Sequence, residues 1–263
     1  MSIVRPTASQ KTRRWIVLGT VVFAIAVAYL QMGLGWGQSA AEFAADSDAT
    51  LKVVGWAFAI WGVIYLGLVI YAVRQVLPQT GESGLIHAFG WPSALAFAGI
   101  GLWIVAAAFD GEVATIVLIF GALSVLLIPL LTNAKQIRGL ALADRDRWMT
   151  VWPLSLLAGW LTIAAPVNLI TVATGNGDLP AVLSPTLWGV VAVLAVSAVA
   201  VGVTWRIRTI AYGIPVSWGL VGVFAAEQSR NGVLGFTALI AAVAVLVANV
   251  VIVLAQRRRV ERG

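Results

Sequence analysis

Eight long apolar stretches without a single charged residue constrain the fold of this 263-residue chain more than any other feature. A helix needs about 20 consecutive apolar residues to cross a hydrocarbon core of ~30 Å. The stretches cover residues 15–32, 53–73, 88–109, 113–134, 149–174, 185–205, 209–226 and 233–255. Charged residues make up 11% of the chain, against about 25% in soluble domains. We therefore exclude a soluble globule and expect an all-α integral membrane protein with eight transmembrane helices.

The seventh stretch is the least regular of the eight, because Gly213 and Pro215 interrupt it. If it did not cross the membrane, the C-terminus would lie on the opposite side.

The basic residues are distributed asymmetrically between the two ends of these helices. With the N-terminus inside, fifteen of the seventeen Lys and Arg residues lie on the inner side. They are Arg5, Lys11, Arg13, Arg14, Arg74, Lys135, Arg138, Arg145, Arg147, Arg206, Arg208, Arg257, Arg258, Arg259 and Arg262. The outer segments hold only Lys52 and Arg230, together with most of the acidic residues, among them Asp46. This positive-inside pattern predicts that both termini are cytoplasmic.

The distribution of basic residues therefore explains the net charge of +6 by membrane topology. We expect no nucleic-acid partner. Arg far outnumbers Lys and Ala and Val are abundant, which is typical of chains from GC-rich bacteria. The expected location is the inner (plasma) membrane of a bacterium.

Residue types that carry catalysis are scarce in the predicted helices. The chain has no cysteine and one histidine, which argues against thiol chemistry, a metal site or haem ligation. No ionisable residue lies at the predicted mid-membrane depth, where proton relays and ion-coupled carriers place theirs. We expect neither an enzyme nor an intrinsic cofactor.

Tryptophan is unusually frequent, with 12 residues. Several lie at helix ends, where indole rings favour the membrane interface, but others lie deeper. At ~1.5 Å per residue, Trp61 is ~12 Å below the outer boundary and Trp160 is ~16 Å above the inner one, so the two share a depth. Trp56, Trp103 and Asn168 fall in the outer third by the same count.

Two predicted helix faces collect these side chains. Steps of three and four residues place Phe58, Trp61, Tyr65 and Leu68 on one face of the second helix, and Trp160, Ala164 and Asn168 on one face of the fifth. Two interpretations remain open. The rings fill space between helices beside small residues, or they form an aromatic pocket for a flat apolar ligand.

The second helix, with Gly55-Trp56-Ala57-Phe58-Ala59-Ile60-Trp61-Gly62-Val63-Ile64-Tyr65, resembles the aromatic block of the TspO/MBR family of tryptophan-rich sensory proteins. The spacing of Trp160, Ala164 and Asn168 is similar to the W-x-x-x-A-x-x-x-N pattern of that family's fifth helix. The resemblance covers roughly residues 15–175. It implies a five-helix core in residues 1–175, followed here by a three-helix membrane extension in residues 176–263.

The resemblance also implies a function. Members bind porphyrins and other hydrophobic molecules beneath the loop joining helices one and two, here residues 35–50, and often form homodimers. Depth and resemblance together select these candidate ligand-binding residues: Trp56, Phe58, Trp61, Tyr65, Trp103, Trp160, Ala164 and Asn168. The alternatives are a transporter of an uncharged or lipidic solute and a structural partner of another membrane protein.

Reporter fusions test the predicted topology. A periplasm-active reporter placed after Asn176 is expected to be active, and the same reporter at the C-terminus inactive, because the basic asymmetry places these sites on opposite sides. A C-terminal fusion that is active outside the cell would contradict eight crossings and would single out the seventh stretch.

Overall fold

The computed structural model describes residues 5–45 and 48–260, with side chains described up to Ala255. The helices are α1 (Ala8–Leu34), α2 (Ala40–Ala45), α3 (Ile60–Val76), α4 (Gly84–Ala108), α5 (Glu112–Thr132), α6 (Ala134–Gly139), α7 (Trp152–Gly175), α8 (Pro185–Ile207), α9 (Gly213–Glu227) and α10 (Gly232–Val260). A 3₁₀ segment, Gly55–Ala59, leads into α3, and a π-helical turn, Arg147–Val151, leads into α7. Asp46, Arg262 and the side chains of residues 257–259, which enter the charge asymmetry, lie outside the described residues.

Seven helices of the described chain are long and apolar enough to cross a membrane. The seventh predicted span corresponds instead to α9, an apolar helix of 15 residues. Pro215 lies in the first turn of α9, where the missing N–H of a proline removes no hydrogen bond within the helix.

Helix α9 nevertheless connects the two ends of the bundle, because α8 and α10 run parallel. Asn231 Nδ2 donates to Thr186 Oγ1 at 2.8 Å where both helices begin. Arg208 Nη1 donates to the Ile252 carbonyl at 3.1 Å near the end of α8. Since α8 and α10 begin side by side, residues 209–231 return along the length of α8.

Five long helices form a closed ring in which α3 packs on α1, α1 on α4, α4 on α5, α5 on α7 and α7 on α3. The end of this ring that α2 covers is called the lid end, and the opposite end, where α1 begins, the basic end. The predicted first to fifth spans supply the five helices of the ring. Its interior holds the candidate site.

The last three helices share one hydrophobic core with the ring, because α9 packs directly on α7. Gly159 of α7 lies against the Tyr212 backbone, and the Tyr212 hydroxyl hydrogen-bonds with Thr162 Oγ1 at 2.6 Å. Trp218 Nε1 donates to the Ala57 carbonyl at 2.8 Å. The division at residue 175 remains a prediction about organisation, and the core does not break there.

At the basic end, α1 begins seven residues before the predicted span. Thr7 and Gln10 form a capping box, which satisfies N–H groups of the first turn. Arg13 and Arg14 therefore lie inside the helix, each 3% exposed. Both donate to Glu82, at 2.5 and 2.7 Å. Glu82 and nearby loop carbonyls give these two buried arginines their partners.

A glycine pair tests the contact between α7 and α9. A Cβ at Gly159 would collide with the Tyr212 carbonyl, whereas Gly202 of α8 has open space. We expect Gly159→Ala to destabilise the protein by roughly 1–3 kcal/mol, the usual cost of overpacking. Gly202→Ala should be neutral or stabilising by up to about 1 kcal/mol. Thermal unfolding in detergent measures both, and equal melting temperatures would refute the close crossing.

Candidate ligand-binding site

A small cavity lies inside the ring near the lid end. It has a volume of about 50 Å³ and is enclosed by α3, α4, α5 and α7, with α2 above it. Its lining is almost wholly apolar and consists of Ala40, Phe43, Ala44, Val53, Phe58, Trp61, Ile100, Trp103, Ile119, Trp160, Leu161, Ile163, Ala164, Val167 and Asn168.

Most of the predicted site residues converge on this cavity. Six of the eight line it: Phe58, Trp61, Trp103, Trp160, Ala164 and Asn168. The aromatic stripe of the second helix and the patterned face of the fifth do face each other, since Trp61 and Trp160 lie 6.4 Å apart between ring centroids.

Two predicted residues lie elsewhere. Trp56 is 47% exposed and packs edge-on against Trp218 of α9. Trp56 and Phe58 are two residues apart, and residues at that spacing point to different sides of a helix. Tyr65 lies one helical turn beyond Trp61, whose ring covers it at 5.1 Å, so it supports the cavity from below instead of lining it.

The rings around Trp160 meet edge to face. Phe58 and Trp61 each contact Trp160 in a T-shaped arrangement, with centroids at 5.9 and 6.4 Å. This geometry is favourable for aromatic quadrupoles. Neither Trp61 nor Trp160 donates its indole N–H to any residue that the structure describes. The cavity is thus walled by two indoles whose hydrogen-bond donors are unused.

Asn168 is already engaged on both sides of its amide. Trp103 Nε1 donates to Asn168 Oδ1 at 2.7 Å, and Asn168 Nδ2 donates to Thr115 Oγ1 at 3.0 Å. Because an indole N–H can only donate, the amide orientation is fixed. Asn168 therefore ties α4, α5 and α7 together, and its first role is to hold the cavity wall.

The roof of the cavity is α2, a short helix within the segment that was expected to be a loop, residues 35–50. Ser39 and Glu42 form a reciprocal capping box at its start: the Ser39 N–H donates to Glu42 Oε2 at 2.6 Å, and the Glu42 N–H donates to Ser39 Oγ at 3.2 Å. Hydrogen bonds from Ser39 hold the pKa of the Glu42 carboxyl below its usual range. The S-x-x-E spacing is the sequence signal that could have revealed this helix.

Phe43 of α2 closes the cavity toward the lid end. It is 3% exposed and contacts Trp103 edge-on at 5.8 Å. On its other side lies a polar vestibule of about 390 Å³, lined also by Asp48, Asp110 and Glu112. Phe43 lines both spaces, so it separates the aromatic cavity from the vestibule.

The closed cavity is too small for a drug-sized ligand. A single water needs roughly 10–15 Å³ by this kind of measure, so 50 Å³ holds a few waters. Ligand pockets usually measure about 300–1,000 Å³. Displacing Phe43 would join the cavity to the 390 Å³ vestibule and bring the combined space into that range.

Comparisons with known proteins identify a family. The model of a protein family described as "TSPO-like protein" matches residues 14–253. The match includes the last three helices as well as the ring. No curated protein matches the chain, and no solved structure does.

A double-mutant cycle tests the Asn168 network. Asn168→Leu removes two interhelical hydrogen bonds and strands the Trp103 N–H, so we expect a loss of about 1–2 kcal/mol in unfolding free energy. Trp103→Phe in the same protein should cost less than in the wild type, since its partner is already gone. Losses that simply add in the double variant would rule out the coupling between Trp103 and Asn168.

Proposed function

The chain belongs to the TSPO-like protein family, and we propose that it binds flat hydrophobic molecules of the porphyrin type in the aromatic cavity beneath α2. It is a helical membrane protein, and its described residues include seven helices long and apolar enough to span a bilayer. The proposed role is that of a binding or sensory protein and not of an enzyme.

The observation that carries the proposal is the combination of aromatic walls and unused donors. Phe58, Trp61 and Trp160 present ring edges and faces to one small space. A flat π-system would gain stacking energy of about 0.5–1.5 kcal/mol per well-placed ring pair. The indole N–H groups of Trp61 and Trp160 have no partner among the described residues and are proposed as donors to an acceptor on the ligand.

Entry is proposed from the lid end. Helix α2 has only six residues, and Phe43 and Ala44 are its buried side chains. Moving this short helix exposes few groups, whereas opening the ring would separate long helices. Toward the basic end the cavity is closed by Tyr65 and by Leu68, which is fully buried. A dead-end site favours binding over passage through the bundle, so transport of an uncharged solute is the second candidate.

The proposed membrane orientation follows from the positive-inside pattern. The basic end faces the cytoplasm, the lid end faces outward, and residues 209–231 return across the bundle as the short α9. Both termini then lie in the cytoplasm of a bacterium, at its inner membrane. Homodimer formation is part of the same proposal by family resemblance.

A tryptophan pair tests the site. Trp160→Phe should weaken binding of a metal-free porphyrin several-fold, because it removes one indole from two T-shaped contacts and its N–H from the cavity. Trp205→Phe, 59% exposed at the basic end, is the matched control and should bind like the wild type. Fluorescence quenching and thermal shift report the affinity. Equal binding by all three proteins would assign the rings to packing alone.

The acidic vestibule predicts a charge preference. Asp48, Asp110 and Glu112 line the entrance, and α7 ends there at Gly175 with the negative end of its dipole. A porphyrin with cationic substituents should bind more tightly than the same ring with carboxylates, and the difference should shrink as salt is added. The double variant Asp110→Asn with Glu112→Gln should also reduce the difference in affinity between the two porphyrins. Tighter binding of the anionic ring at every salt concentration would exclude this route of entry.

A further inference from the structure

A second groove lies at the basic end, away from the aromatic cavity. It has a volume of about 490 Å³ and runs between the start of α1 and the end of α3. Three basic side chains, Arg5, Lys11 and Arg14, line it together with Trp15 and Gln75. We propose that this groove binds the phosphate of an anionic phospholipid headgroup.

The charge of the groove wall is positive and only partly compensated. Arg13 and Arg14 share the single carboxylate of Glu82, so two buried guanidinium groups face one negative charge. Arg5 and Lys11 are exposed, and their side chains make no ion pair or hydrogen bond within the described part of the chain. An anion in the groove would meet uncompensated cations on its protein side.

The surroundings fit a lipid better than a free anion. Trp15 is 62% exposed at the mouth of the groove, as interfacial tryptophans are. Below it, the outer faces of α1 and α3 expose Ile16 and Val73 at 38% and 40%, which offers acyl chains an apolar track. The first turn of α1 contains no acidic residue to oppose a phosphate near its positive dipole end. Basic pockets at the cytoplasmic side of membrane helices commonly bind anionic headgroups.

The test compares three additions to the full-length protein in detergent: phosphatidylglycerol, phosphatidylcholine and inorganic phosphate. Native mass spectrometry counts bound lipid, and thermal unfolding measures the stabilisation relative to each protein without addition. Phosphatidylglycerol is expected to bind and stabilise, and phosphatidylcholine is expected to do neither. Stabilisation by inorganic phosphate to the same extent would overturn a lipid as the source of the phosphate.

Two variants locate the binding. Arg5→Ala with Lys11→Ala should weaken phosphatidylglycerol binding at least about fivefold. Lys135→Ala with Arg206→Ala removes the same charge from exposed residues outside the groove and should bind like the wild type. If the control variant lost as much phosphatidylglycerol binding, the lipid would be attracted by the overall positive charge, and the proposal of a site in the groove would be wrong.

Discussion

Helix α7 is enclosed by protein on nearly every side, and the rest of the structure is arranged around that constraint. Within its spanning segment 72% of residues are buried, more than in any other described span. One side packs on α9 through Gly159 and Thr162, and another presents Trp160 and Asn168 to the ring. Because lipid supplies neither hydrogen bonds nor a hydrophobic drive for helix association, such a helix must be held by close contacts and polar partners.

The contacts of α7 fix the wall of the candidate site, whereas only a short helix, α2, covers the site. Asn168 fixes α7 to α4 and α5 by two hydrogen bonds, and Tyr212 fixes it to the C-terminal helices. The roof is shorter: α2 has six residues and buries Phe43 and Ala44, and the Gln38 N–H just before it donates to the Ala108 carbonyl at 3.3 Å. A binding protein with a preformed wall and a movable roof can accept a ligand larger than its resting cavity of 50 Å³.

The spans and the aromatic pairing could be predicted from the sequence because both depend on simple counting. Charge-free lengths located the helices, and depth counting brought Trp61 opposite Trp160. Other features left no such pattern. A membrane helix is apolar all round, so periodicity does not distinguish Ile100 or Ile119, which line the cavity, from residues facing lipid.

Irregular backbone and long-range polar contacts could not be predicted from the sequence either. The 3₁₀ segment Gly55–Ala59, which holds Trp56 and Phe58, is a local departure from α-helical spacing. The pairing of Arg13 and Arg14 with Glu82 joins residues nearly seventy positions apart. Counting basic residues assigned these arginines to one side of the membrane, but it carried no information on their burial. The short α9 was flagged by Gly213 and Pro215, yet its place between two parallel helices depends on tertiary contacts.

A structure of the full chain with a metal-free porphyrin bound tests the central claim most directly. The account predicts a ring plane seated between Trp61 and Trp160 beneath α2, with Phe43 moved from Trp103 and the Asn168 hydrogen bonds intact. A porphyrin bound on the lipid-facing surface of α8 or α10, with Phe43 still in place, would contradict it.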